Sequence, residues 1–160
     1  MNLVFILKKS LLLPKKEALF QLNRVNMKDT LFYMVCLMIL LFFPEVIKMI
    51  MNGDQVSEGL SYSTYIIQIL VLYSLLILFM AVTGISILAF FSLIIAKLVK
   101  RKLAYHYLWK ITVYAATYPV LIYMVLKLFQ IDYVVVNQFP LIVLFLLIYK
   151  IILIYPKRSS

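Results

Sequence analysis

One cysteine, one histidine, three glycines and six acidic residues are all that a chain of 160 residues offers of those types. Each scarcity closes a route. Cys36 has no second cysteine to pair with, so no intrachain disulfide staples this chain. His106 is the sole imidazole, and a metal centre needs several converging ligands. The serines, for the same reason, lack a histidine placed to activate them within the apolar blocks. So few glycines leave no Gly-rich loop to cradle phosphates, and no HExxH, Walker or nucleophile-elbow pattern occurs. The expectation is a protein that is not an enzyme, with no catalytic residue, cofactor or metal. His106 itself lies in a basic stretch and reads as a solvated interfacial residue.

Hydrophobic residues, by contrast, make up 66% of the chain, well above the roughly 45–50% of soluble proteins. They come in long unbroken blocks and not in amphipathic stripes. A bilayer demands that pattern, because a spanning helix takes about 20 consecutive apolar residues. The net charge is +10. In a soluble protein such a charge raises the question of nucleic acid, but no base-contacting motif is present. The charge flanks the apolar blocks instead, which points to anionic lipid headgroups.

The blocks divide the chain. Residues 2–13 are apolar but interrupted by Lys8 and Lys9 and stopped by Pro14. Too short to span, they read as an interfacial helix. Lys15, Lys16, Arg24 and Lys28 extend a basic collar behind it. The first span is 30–51, with Asp29 or Thr30 as its cap and Pro44 kinking or ending it. The polar stretch 52–64 is a short external loop. The block 65–96 would make a helix of about 48 Å against a hydrocarbon core of about 30 Å. It reads as one crossing at 74–96 whose helix starts as early as 65, in preference to two short crossings broken at Thr83–Gly84. The third span is 107–128, with Pro119 near its middle. The fourth is 138–155, with Asn137 as N-cap and Pro140 in the first turn. The fold class is therefore all-α: a polytopic integral membrane protein of one membrane domain, with four transmembrane helices and a short N-terminal interfacial helix.

Orientation follows from the lysines and arginines, which concentrate in cytoplasmic loops. With both termini inside the cell membrane, all but two of the 16 basic residues face the cytoplasm; Lys48 and Lys127 are the exceptions. The order of charge and apolar residues at the N-terminus reads as no cleaved signal peptide. The stretch "AKLVKRKLAYHYLWK" is then the inner hinge between spans two and three. Lys97, Lys100, Arg101 and Lys102 are its candidate contacts to the anionic inner leaflet. Tyr105, Tyr107 and Trp109 form an aromatic belt beside them.

Within the spans, charge is nearly absent. Glu45 and Lys48 are spaced to pair near the outer boundary, and Lys150 can snorkel to the headgroups. Nothing resembles a proton relay or an ion path. Two helix faces stand out instead. Ala81, Gly84, Ala89, Ser92 and Ala96 place small residues at three- to five-residue spacing on span two, letting another helix approach closely, in this chain or in a partner. Thr112, Tyr114, Thr117 and Tyr118 put a polar stripe on span three, suited to hydrogen bonds with neighbouring helices or to a small-ligand cleft.

The segments "SLLLPKKEALFQLNRVNMKDTLFYMVCLMIL" and "KRKLAYHYLWKITVYAATYPVLIYMV" resemble the bacterial maltodextrin-utilisation-type membrane proteins, distant relatives of the Yip-type proteins. The resemblance rests on the N-terminal stretch, the basic loop, its "LW" and the Pro-containing span. This chain departs from that family in its external segment after the first span, which is shortened to 52–64. The resemblance carries over no catalytic residue. The expected function is a non-enzymatic accessory or scaffold subunit that binds other membrane proteins, such as transport or export machinery. The alternative is a small oligomeric transporter, channel or ligand-binding membrane protein. The expected partners are anionic lipids and either another membrane subunit or a homo-oligomer, and no nucleic acid.

Overall fold

The computed structural model describes residues 3–51, 62–128 and 134–157. Among them seven helices follow one another: α1 Leu3–Ser10, α2 Lys16–Asn23, α3 Met27–Met51, α4 Tyr62–Leu98, α5 Tyr105–Ala115, α6 Thr117–Leu128 and α7 Val134–Ile154. No strand occurs among the described residues beyond an isolated antiparallel bridge between Arg101 and Lys157.

The centre of this arrangement is buried on every side from Leu108 to Thr117, the polar Lys110, Thr112, Tyr114 and Thr117 included. This makes α5 the axis of the bundle. Around it stand α2, α3, α4 and α7, and α4 supplies the broadest contact. Ala81, Ile85, Ala89, Ser92 and Ala96 are the buried face of α4. Its earlier turns expose Ile67, Leu70, Val71, Leu72, Leu75, Leu78 and Phe79 and bury Ile77.

The N-terminal region differs from its expected form. Residues 2–13 are not one surface helix. A turn closed by Leu13 N–H to Ser10 O (3.2 Å) and Lys15 N–H to Leu12 O (2.9 Å) reverses the chain into α2. Residues 16–23, expected to be collar, form that helix. The pair is a hairpin that buries Ile6, Leu13, Ala18, Leu19, Leu22 and Val25 in the common core and leaves Val4, Phe5 and Phe20 outside. Ile6, Leu13, Leu19 and Leu22 account for the folding back, since each gains about 1.5–3 kcal/mol on full burial.

Several boundaries are also corrected. Helix α3 starts at Met27, so Asp29 is in its first turn and Thr30 is not a cap. The Thr30 hydroxyl bonds back to Asn26 O at 3.1 Å. Pro44 does not end α3, which runs on to Met51. Helix α4 is one continuous element of 37 residues with no break at Thr83–Gly84, about 56 Å long at 1.5 Å per residue. The third span, read over 107–128 with Pro119 near its middle, is two helices that part at Ala116. Pro119 has no N–H for the carbonyl four residues back, at Ala115, and its ring crowds that carbonyl. Helix α7 begins at Val134, so Asn137 and Pro140 lie inside it and not at its start. Residues 52–61 of the expected external loop 52–64, residues 129–133 with Asp132, and the Glu45 and Lys48 side chains fall outside the described residues.

Three helices are long and apolar enough to cross a membrane among the described residues: Met27–Pro44, Ile66–Leu98 and the composite Tyr105–Lys127. A shorter apolar helix, Gln138–Ile154, accompanies them. At 1.5 Å per residue its apolar length is only about 25 Å.

Candidate functional site

The polar stripe of the third span faces the interior. Tyr114 Oη meets Thr30 Oγ of α3 at 2.7 Å, and Thr117 Oγ meets Tyr33 Oη at 2.8 Å. The two tyrosine rings stand 6.0 Å apart at 47°. Thr112 donates to Leu108 O at 2.8 Å, within its own helix. Tyr118 donates to Leu11 O at 2.5 Å, at the turn of the N-terminal hairpin. All four hydroxyls therefore bond within the chain. Because a buried hydroxyl left without a partner costs free energy, these pairs fix the register of α3 against α5 and α6.

The sequence reading passed over Lys110. This side chain is only 4% exposed. Its ammonium donates to Asn23 O at 3.0 Å and to Val25 O at 2.5 Å. It thus takes up carbonyls at the end of α2, where a helix leaves its last carbonyls unpaired and its dipole favours a cation. The signal was present: Lys110, Tyr114 and Thr117 recur at i, i+4 and i+7, so the lysine belongs to the polar stripe and not to the basic collar. Nearby, Asn23 Nδ2 donates to Tyr155 Oη at 2.5 Å. Together with Tyr118 this gives the hairpin three polar clasps. Burial raises the pKa of Tyr155, and the Asn23 hydrogen bond works in the opposite direction.

The basic hinge is built by a particular helix ending. Arg101 N–H bonds to Ala96 O at 2.9 Å and Lys100 N–H to Lys97 O at 3.0 Å. Between them Lys100 sits at φ 54°, the left-handed region. This is a Schellman ending with lysine where glycine is usual. The reversal sends Arg101 back toward the C-terminal segment, where its guanidinium donates to Tyr155 O. Lys97, Lys100 and Lys102 stay exposed, and Arg101 is half-buried. Three of the four candidate lipid contacts therefore face outward, and the fourth pins the hinge.

The small-residue face divides similarly. Ala81, Ala89, Ser92 and Ala96 are buried, and Ser92 Oγ bonds to Leu88 O at 2.7 Å. Gly84 is the exception, because a Cβ built there meets nothing within 4 Å. On the neighbouring turn Trp109 Nε1 donates to Ser86 Oγ at 3.3 Å. Two of the apolar cavities between helices are large. One, of about 340 Å3, separates α3 from the outer turns of α4, between Ile39 and Ser74. The other, of about 370 Å3, is bounded by α3, α4, α6 and α7 and includes Pro119 and Pro140.

A family model described as "Protein of unknown function (DUF1189)" matches residues 51–154, and the chain belongs to that family. No curated protein and no solved structure matches it.

Proposed function

We propose that this member of the DUF1189 family is a non-enzymatic accessory or scaffold subunit of the cell membrane that holds another membrane protein, such as transport or export machinery. In this reading the chain crosses the membrane four times with both termini in the cytoplasm, α7 being the fourth crossing. The observation that carries it is the contrast between two surfaces. The polar groups fit for handling a substrate are consumed inside the chain: Tyr114 on Thr30, Thr117 on Tyr33, and Lys110 on backbone carbonyls. The outer turns of α4 leave a broad, mostly apolar surface exposed, with Leu75 at 70% and Phe79 at 66% exposure. Exposed Lys97, Lys100 and Lys102 supply contacts to the anionic inner leaflet. The resemblance to maltodextrin-utilisation-type proteins is in keeping with a place beside transport machinery.

Purification from the native membrane in mild detergent tests this reading. A foreign membrane subunit should co-purify in fixed stoichiometry. Gly84→Leu should release it while the chain still folds, because among the described residues nothing lies within 4 Å of a Cβ at Gly84. A chain that purifies alone sinks the scaffold. A homo-oligomer favours the alternative of a small oligomeric transporter, channel or ligand-binding protein. For topology, Ser57→Cys should react with an impermeant thiol reagent in intact cells and Ser159→Cys should not, both in a Cys36→Ala background. Equal labelling would end the four-span arrangement.

A further inference from the structure

The two helices of the N-terminal hairpin turn unlike faces away from the bundle. Helix α1 and the turn after it expose Val4, Phe5, Leu7 and Leu11, with Val4 at 68%. Lys8 stands exposed among them. Helix α2 exposes Lys16, Glu17 and Gln21 instead, with Phe20 beside them. The neighbours of α1 fix the medium that its outer face meets. Val4 and Leu7 face Tyr33, Cys36 and Leu40 of α3 across a groove of about 230 Å3. Those α3 residues belong to Met27–Pro44, a run apolar enough to cross a membrane. A helix lying beside a crossing segment meets the same hydrocarbon that surrounds that segment. The polar outer face of α2 needs water or headgroups, and at its end Asn23 bonds to Tyr155, just past the end of α7. The hairpin thus straddles the boundary between the two media.

We propose that the hairpin is a wedge in the anionic inner leaflet. Val4, Leu7 and Leu11 stand among acyl chains, while Lys8 and Lys16 hold headgroup phosphates. The inference rests on the reading of this chain as a membrane protein with its N-terminus inside, and is independent of the scaffold. Lys8 and Lys16 are exposed, and no hydrogen bond or ion pair engages their side chains among the described residues. Lys9 is not counted with them, because its ammonium lies over the Phe5 ring, 5.6 Å from the centroid. A lysine stem can lie along an apolar surface while its ammonium reaches the headgroups. The bilayer boundary offers hydrocarbon and phosphate side by side, which is what an apolar face carrying lysine requires.

The test places a bimane label on Val4→Cys or Leu11→Cys, each in a Cys36→Ala background. The full chain is held in vesicles of equal phosphatidylglycerol and phosphatidylcholine. Lipid brominated along its acyl chains should quench both labels. A label on Gln21→Cys, on the outer face of α2, should be quenched by iodide in the water instead. With bromine on phosphatidylglycerol alone, the Val4 label should report an enrichment of that lipid of about fivefold over phosphatidylcholine, the factor that one lysine contributes near an anionic surface. Lys8→Gln with Lys16→Gln should bring that ratio to about one. Lys97→Gln with Lys100→Gln, at the hinge, should leave it unchanged. Labels at Val4 and Leu11 that answer to iodide and not to brominated lipid overturn the proposal. So does a ratio of one with all lysines in place, or a ratio lost in the hinge variant and kept in the hairpin variant. Val4→Cys chains that cross-link to each other, shielded from lipid, also overturn it. A failure of the scaffold leaves all these readings untouched, since the vesicles hold this chain alone, and a reversed topology appears separately in the Ser159→Cys labelling.

Discussion

Replacing Lys110 by methionine keeps an unbranched stem as far as the ε carbon and removes the charged ammonium. Two opposing effects follow. The ammonium now makes two charge-assisted hydrogen bonds to Asn23 O and Val25 O, each of the kind that contributes about 1.5–3 kcal/mol. In Lys110→Met both carbonyls lose that partner, at a cost of about 1–3 kcal/mol each. Against this, the variant no longer has to strip water from an ammonium, a penalty of several kcal/mol in proteins. Because only one side of the interaction is replaced, the stranded carbonyls tip the balance. We expect the docking of the N-terminal hairpin to weaken by about 1.5–3 kcal/mol, which raises its opening about 10- to 100-fold. Leu19, 1% exposed in the closed hairpin, reports on this directly. In a Leu19→Cys, Cys36→Ala background, thiol labelling should speed up by that factor on adding Lys110→Met. An unchanged or slower rate would show that relief from desolvation outweighs the lost hydrogen bonds, and would refute the clasp.

Three further perturbations test other parts of the bundle. Ala89 is fully buried, so Ala89→Leu should cost about 1–3 kcal/mol by overpacking and lower the thermal midpoint in detergent. The outward-facing control Leu78→Phe should stay within about 0.5 kcal/mol. Lys100→Gly removes the left-handed strain of the hinge and should stabilise by about 0.5–1 kcal/mol after the added flexibility of the unfolded glycine is counted; a loss of stability contradicts that helix ending. Burial raises the Tyr155 pKa, so its contribution to stability is whole below pH about 10, the ordinary tyrosine value, and fades as pH rises through the raised one. The phenolate absorbance lost in Tyr155→Phe should accordingly titrate above that value, and titration at or below it contradicts the burial.

The apolar blocks announced helices because runs of Leu, Ile and Phe as long as that of α4 have no other economical use. The apolar run of α4 and the stripe of Tyr114 and Thr117 were visible in the spacing, whereas one continuous helix competed there with two crossings broken at Thr83–Gly84, and Gly84 departs from the small-residue face. The N-terminal hairpin was not visible in the spacing. Residues 16–23 have no periodic signal strong enough to stand by themselves; they become helical by burying Leu19 and Leu22 against a bundle that sequence inspection does not assemble. Lys110 was misplaced for a related reason. Neighbouring lysines and aromatic residues made it look like one more interfacial charge, and only the arrival of α2 supplies the carbonyls that draw it inward. Proline positions were legible as interruptions, but their outcome was not: α3 absorbs Pro44, whereas the chain parts three residues before Pro119.

The great length of α4 has a consequence for the lipid itself. Its apolar run, Ile66–Leu98, is 33 residues, about 50 Å of helix. The run Met27–Pro44 is 18 residues, or about 27 Å. Tilt alone would have to reach about 53° to fit the longer run into a 30 Å core, beyond the 0–40° seen in spanning helices. Packing along α5 also ties α4 to its shorter neighbours. On the four-crossing reading proposed above, a flat bilayer would not match both sides of the molecule. It would have to thicken along the flank of α4, at a cost that grows with each ångström of mismatch. Two such molecules would reduce that cost with their thick flanks adjoining, so a membrane would gather them without any contact between their side chains.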